Sequence, residues 1–267
     1  MLAPSSKPEP PGDLMDTTTQ AWSGADAAKY ARGSINFYNA PVYEYVKSTV
    51  ADHEAEDLSA LLDCLRLEST PAHTWSVTNL TNSYKAQDRV SHAEREVVFL
   101  RALETTIIFD RMESTLPHKI ALMHTRGAPA SSGSNSHISI NGHDAVRVTT
   151  LVPTVPVYDV VDERRANGAH RLELCTAGSG ELECFLNVVQ ARGKDEADLT
   201  IMLTQQGDYW MLALVHPTKG SARILLNKGR HAVGGWVGVS ATPTPPSPVG
   251  ATMKTFRVGV NVPVWGN

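Results

Sequence analysis

Two charged residues close an apolar run. In "TTIIFDRM" (Thr105–Met112), Asp110 and Arg111 follow a β-branched and aromatic stretch, and in "AEREVVFL" (Ala93–Leu100), Arg95 precedes another. A carboxylate at a strand end can act as a general acid or base. It can equally accept hydrogen bonds from a turn or from an arginine on the adjoining strand. Arg95 precedes one apolar run about as far as Asp110 follows the other, so a hairpin would set them abreast. That geometry favours a structural role for Asp110 and Arg111.

The remaining chemistry-bearing residues give little. Ten histidines invite a metal site. His118 and His124 share strand parity, as do His137 and His143, but six residues of strand span about 20 Å. Ligands of one ion lie about 2 Å from it, so spacing supports no metal and no cofactor is expected. The cysteines are Cys64, Cys175 and Cys184, and an odd count argues against a disulfide framework. Cys175 and Cys184 flank "TAGSGELE", which reads as a hairpin connection that would bring them close; buried thiols packing as small apolar residues are the alternative. There is no nucleophile elbow, phosphate loop, C-x-x-C or H-E-x-x-H. Trp75, Tyr84, Trp210 and Trp236 have flat amphipathic rings suited to sugar faces, with core or sheet-face packing as the competing use. "NLT" at Asn79–Thr81 is a glycosylation sequon, relevant only in a eukaryotic secretory route.

The elements that must position these residues read as strands. Period-two alternation and β-branched runs give about fifteen candidate strands between Val42 and Val260. Turn signals such as "NG" at Asn141–Gly142, "QGD" and "TKG" separate them. The expectation is an all-β fold, a two-sheet antiparallel β-sandwich. One segment departs from it. Leu58, Leu61, Leu62 and Leu65 recur at i, i+3, i+4 and i+7, so a short inserted helix is expected over about 54–67, its leucines on a sheet. Residues 1–25 read as a flexible Pro/Ser/Thr-rich lead without a hydrophobic signal region, and 26–267 as one sandwich domain.

Composition bounds the function. Hydrophobic residues make up 42% and charged ones 19%, ordinary for a folded soluble protein. Net charge is -4 with no long Lys/Arg tract, so no nucleic-acid partner is expected. No apolar run approaches the ~18 residues of a membrane span.

The order of motifs carries a resemblance. "LTNSYKAQDRVSHAEREVVFLRALETTIIFDRMES" resembles a stretch of the heparinase II/III-like polysaccharide lyases, with Thr81, Tyr84, Arg95, Asp110 and Arg111 on the family's pattern. "KIALMHT", "VRVTTLVP" and "HRLELCTAGSGELECFLNVVQA" are similar to strands that follow in that family. The resemblance spans about Ile35 to Val239. It implies the carboxy-terminal β-sandwich part of such a lyase, without the α/α toroid that supplies much of the catalytic machinery. Asn79 stands where the family has Asp, the family's His-rich signature has no full counterpart, and "RALE" replaces its usual Pro/Asn/Gly turn.

Three functions follow from the resemblance. The first is a carbohydrate-associated module lacking most catalytic residues, with an acidic polysaccharide as partner. The second is an active lyase that abstracts the C5 proton of a uronic acid and eliminates the 4-O-glycosidic bond. That needs a base and a neutraliser of the substrate carboxylate, for which Tyr84, His124 and Arg95 are the candidates. The third is an assembly subunit, partnered by a toroid domain or by further copies of itself. Family membership would imply an extracellular or periplasmic place.

Overall fold

The computed structural model describes residues 63–81, 90–114, 120–162, 170–175, 182–230, 234–247 and 254–255. In chain order the strands are β1 (Asp63–Ser69), β2 (His73–Asn79), β3 (Val90–Leu100), β4 (Thr105–Ser114), β5 (Ile120–Thr125), β6 (Ala130–Gly133), β7 (Ser136–Asn141) and β8 (Asp144–Val152). They continue with β9 (Val157–Asp162), β10 (His170–Cys175), β11 (Leu182–Gly193), β12 (Thr200–Gln206), β13 (Tyr209–His216), β14 (Gly220–Asn227), β15 (Gly234–Ser240) and β16 (Lys254–Thr255).

Two sheets make the sandwich. One has eight strands in the order β1-β2-β3-β4-β11-β8-β7-β6, the other five in the order β12-β13-β14-β15-β16. Every pairing is antiparallel. Alternation sends one face of each strand inward. Trp75, Val98, Ile107, Phe109 and Leu186 from the larger sheet meet Leu212, Leu214, Ile224 and Leu226 from the smaller in one buried core. At about 25 cal/mol per Å² of apolar surface removed from water, this core is the main favourable term holding the sheets together.

A third, three-stranded sheet, β5-β10-β9, goes beyond the two-sheet expectation. It lies on the outer face of the eight-stranded sheet, where Ala121 and Leu174 bury Phe185, with Tyr158 alongside. This sheet corrects the hairpin expected between Cys175 and Cys184. Cys175 ends β10, which pairs with β5 and β9, whereas Cys184 lies on β11, which pairs with β4 and β8. The connection therefore crosses between sheets, and all three cysteines are free thiols.

The expected helix is also corrected where the structure describes it. Asp63–Ser69 is strand β1, paired with β2, while 54–62 lie outside the described residues. The register shifts between Cys64 and Arg66, and this bulge lets Leu65 reach the core while Leu67 stays 60% exposed. Of the four leucines only Leu65 lies among the described residues, and it stands in the bulge of this edge strand. The expected strand over 42–48 is likewise outside the described residues.

Turn chemistry shows at the hairpins. Gly142 takes φ 67 between β7 and β8, where a two-residue turn needs a left-handed position. The β3–β4 turn "RALE" has no glycine, so Glu104 itself adopts φ 50. Its carbonyl accepts from Ala191 N–H at 3.0 Å and its carboxylate meets Lys219, contacts that hold the unusual backbone in place.

Candidate functional site

The motif residues converge on β3 and β4. Arg95 and Asp110 are directly opposed. Arg95 Nε and Nη2 donate to Asp110 Oδ1 and Oδ2 at 2.6 and 2.9 Å, a two-pronged charge-assisted pair. Asp110 is buried and Arg95 partly so. Thr81 and Asn79 form a second device at the end of β2. Asn79 Oδ1 accepts from Thr81 N–H at 3.0 Å and from its hydroxyl at 2.7 Å, and Thr81 Oγ1 accepts from Ala93 N–H at 2.9 Å. This side-chain turn ties the end of β2 to β3.

Alternation puts Arg111 on the inner face, one residue from Asp110 but pointing the opposite way. Its Nη1 donates to Glu94 Oε1 and its Nη2 to Glu96 Oε2, each at 2.8 Å. Nη2 also reaches the Asn227 carbonyl at 2.5 Å, on the last residue of β14, so one guanidinium links the two sheets. Glu96 Oε1 accepts from Trp75 Nε1 at 2.8 Å, and the Arg66 guanidinium sits 3.3 Å from the centre of the Trp75 ring. Burial pushes the Glu94 carboxyl up to about 7, Arg111 opposing and Glu96 adding to the shift. Burial likewise lowers Arg66.

This placement corrects one sugar-contact candidate. Trp75 is 0% exposed, with its N–H bonded and Arg66 over its ring, so no saccharide can stack on it. Trp210 is partly buried at the rim of the core, with the Lys228 ammonium 5.0 Å from its ring centre. Trp236, partly buried on β15, has the opposite strand parity from the core residues Val237 and Val239, so it lies on the outer face of the five-stranded sheet.

Of the lyase candidates, Tyr84 lies outside the described residues. His124 is an exposed residue of β5, opposite Arg171. Its parity is opposite to that of Ala121, which packs on Phe185, so it faces away from the eight-stranded sheet that carries Arg95. The structure therefore does not bring His124 and Arg95 together. Among the described residues no group of three His, Cys, Asp or Glu is placed to hold a metal ion.

A contact that spacing did not reveal joins two sheets. The His137 and Tyr158 rings lie 4.2 Å apart between centroids, tilted by 60°. Tyr158 donates its hydroxyl to the Asn135 carbonyl at 2.9 Å. Burial lowers His137 and raises Tyr158, so both neutral forms are favoured. Each residue sits in a strand that alternation identifies; their meeting depends on how two sheets stack, which no local pattern encodes.

No known protein family and no curated protein matches the chain. Similar solved structures include the heparan sulfate lyase HepC from Pedobacter heparinus, 12% identical with a TM-score of 0.49, over 64% of this chain and 28% of that one. Another is a heparinase III, 9% identical with a TM-score of 0.45, over 62% of this chain and 27% of that one. The chain thus spans less than a third of the length of either protein.

Proposed function

We propose that this chain is a carbohydrate-associated β-sandwich module that binds an acidic, uronate-containing polysaccharide without cleaving it. One observation carries the proposal. The described residues of the motif series are spent on scaffolding: Thr81 stitches β2 to β3, Arg95 and Asp110 hold each other, and Arg111 links the two sheets. The strands bearing Arg95, Asp110, "FLNVVQA" and "VRVTTLV" are the neighbours β3-β4-β11-β8, so the motifs form one structural unit. An arginine whose fork is filled by a buried carboxylate is poorly placed to neutralise a substrate carboxylate.

The direct test incubates the chain with alginate, heparin, hyaluronan and glucuronan. Elimination makes a conjugated unsaturated uronate that absorbs in the ultraviolet. The expected result is binding to at least one polymer with no rise in absorbance. A rise abolished by Tyr84→Phe or His124→Ala would overturn the proposal in favour of a lyase. A second lyase reading is favoured by the contact of Tyr158 with His137, which sets a phenol beside an imidazole. In that case Tyr158→Phe would abolish turnover.

A further inference from the structure

Among the described side chains, the outer face of the five-stranded sheet carries one uncompensated charge. Strand register fixes its members. Ala213, Arg223 and Gly238 stand side by side on β13, β14 and β15, with Met211, Leu225 and Trp236 as the next row. Toward β12 the face continues through Met202, Thr204 and Gln206. None of these positions is acidic, and Arg223 is the only charged residue among them. Arg223 is partly exposed, yet its Nε is buried and bonded to nothing, and no hydrogen bond or ion pair to it occurs among the described residues. With Nε buried, the terminal N–H groups of this partly exposed, unpaired guanidinium are the ones open to an acceptor from solvent.

The surroundings of Arg223 are shaped. Its neighbours across the strands, Ala213 and Gly238, are small. The six-membered ring of Trp236 lies over Gly238, its atoms 2.3 and 2.5 Å from where a Cβ would stand, and Pro246 Cγ is 2.9 Å from the same point. The segment after β15 runs back along this face, for Ser221 Oγ donates to the Thr242 carbonyl at 2.6 Å before Pro246 arrives beside Gly238. The absence of a side chain at Gly238 thus lets an indole settle next to the arginine, with a proline wall beside them.

We propose that Arg223 and Trp236 form a subsite for one uronate residue of an acidic polysaccharide. This rests on the binding-module reading and gives it a location. The carboxylate would meet the two terminal guanidinium nitrogens, whose coplanar donors match it best. The apolar face of the pyranose would lie on the indole. Thr204 and Gln206 on β12 offer hydroxyl and amide partners along the same face.

The test is a titration of the full chain with an oligoglucuronate, followed by tryptophan fluorescence and calorimetry at low salt, with a neutral cello-oligosaccharide as control. The wild type should bind the oligoglucuronate in preference to the neutral sugar, and more weakly as salt rises. Arg223→Gln should weaken binding about tenfold or more at unchanged melting temperature. Trp236→Ala should weaken it similarly and remove most of the fluorescence response. If Trp236→Ala fails to fold, Arg223→Gln decides alone. Wild-type affinity in Arg223→Gln would overturn the subsite while leaving the module reading standing. Binding to heparin but not to oligoglucuronate would overturn the uronate as occupant in favour of a sulfate. Failure of the wild type to bind any uronate polymer would overturn subsite and module together.

Discussion

At the scale of single residues, the Arg95–Asp110 pair illustrates how a charged motif can be structural. Both Asp110 oxygens accept from one guanidinium, and Asp110 is only 6% exposed. Asp110→Asn replaces an acceptor by an amide N–H that faces a donor. The cost should be about 2–3 kcal/mol, below the roughly 3–5 of a fully buried pair, because Arg95 keeps part of its side chain in water. Thermal unfolding should show a clear fall in melting temperature with oligoglucuronate affinity retained; unchanged stability with lost binding would move Asp110 into the binding surface. This pairing was legible in the sequence, since hairpin symmetry alone sets Arg95 opposite Asp110. The role of Trp75 was not. Its burial depends on Glu96 across the hairpin and on Arg66 across a bulge, and aromatic content alone does not say which ring faces the core.

At the scale of elements, the β3–β4 hairpin carries a buried carboxyl that should make stability depend on pH. Folding raises Glu94 from 4.5 to about 7. Between those values the folded chain holds a proton that the unfolded chain has released. Stability from this group is therefore full below about pH 4.5 and declines as pH rises toward 7, by up to about 3 kcal/mol. Glu94→Gln keeps an acceptor for Arg111 and removes the titration. Its melting temperature should fall less than that of the wild type between about pH 5 and about pH 8; parallel profiles would assign the slope to another group. A second element-level prediction concerns Gly235 on β15, at φ 144. A Cβ there would stand 2.0 Å from the Leu225 carbonyl oxygen and 2.9 Å from the Trp75 ring. Gly235→Ala should cost about 2–4 kcal/mol. Gly142→Ala, which meets nothing within 4 Å at φ 67, should cost only about 1 kcal/mol. Urea unfolding of the two variants separates a packing clash from backbone strain. Most strands were legible from alternation. Two were not: β1, where a bulge between Cys64 and Arg66 interrupts the alternation, and β6, whose four small residues "ASSG" carry no apolar alternation.

At the scale of the whole molecule, the eight-stranded sheet is covered on both faces, and this explains why its central strands are so apolar. On the inner face the core meets the five-stranded sheet; on the outer face Phe185 is enclosed by Ala121 and Leu174 of the three-stranded sheet. Sequence patterns separated strands from turns but could not assign them to sheets. "TAGSGELE" looked like a hairpin because turn residues lie between two strand-like runs, while β10 pairs instead with the preceding β9 and with the more distant β5, and β11 with the distant β4 and β8. The same limit hid the candidate subsite, since Arg223 and Trp236 become neighbours only through the β14–β15 register. The third sheet also predicts a division in stability. Its described apolar contact with the rest centres on one ring, whereas the sandwich core is continuous over many side chains. Phe185→Ala should cost about 3–5 kcal/mol if the site cannot collapse. The loss should be local: in hydrogen exchange, the amides of β5, β9 and β10 should lose protection well before those of β13 and β14. The sandwich pairs of β13 with β14 do not depend on Phe185, so they should keep exchanging through global unfolding. Equal loss of protection in both groups would show that the three sheets unfold as one unit and that Phe185 serves the whole core, not a separable sheet.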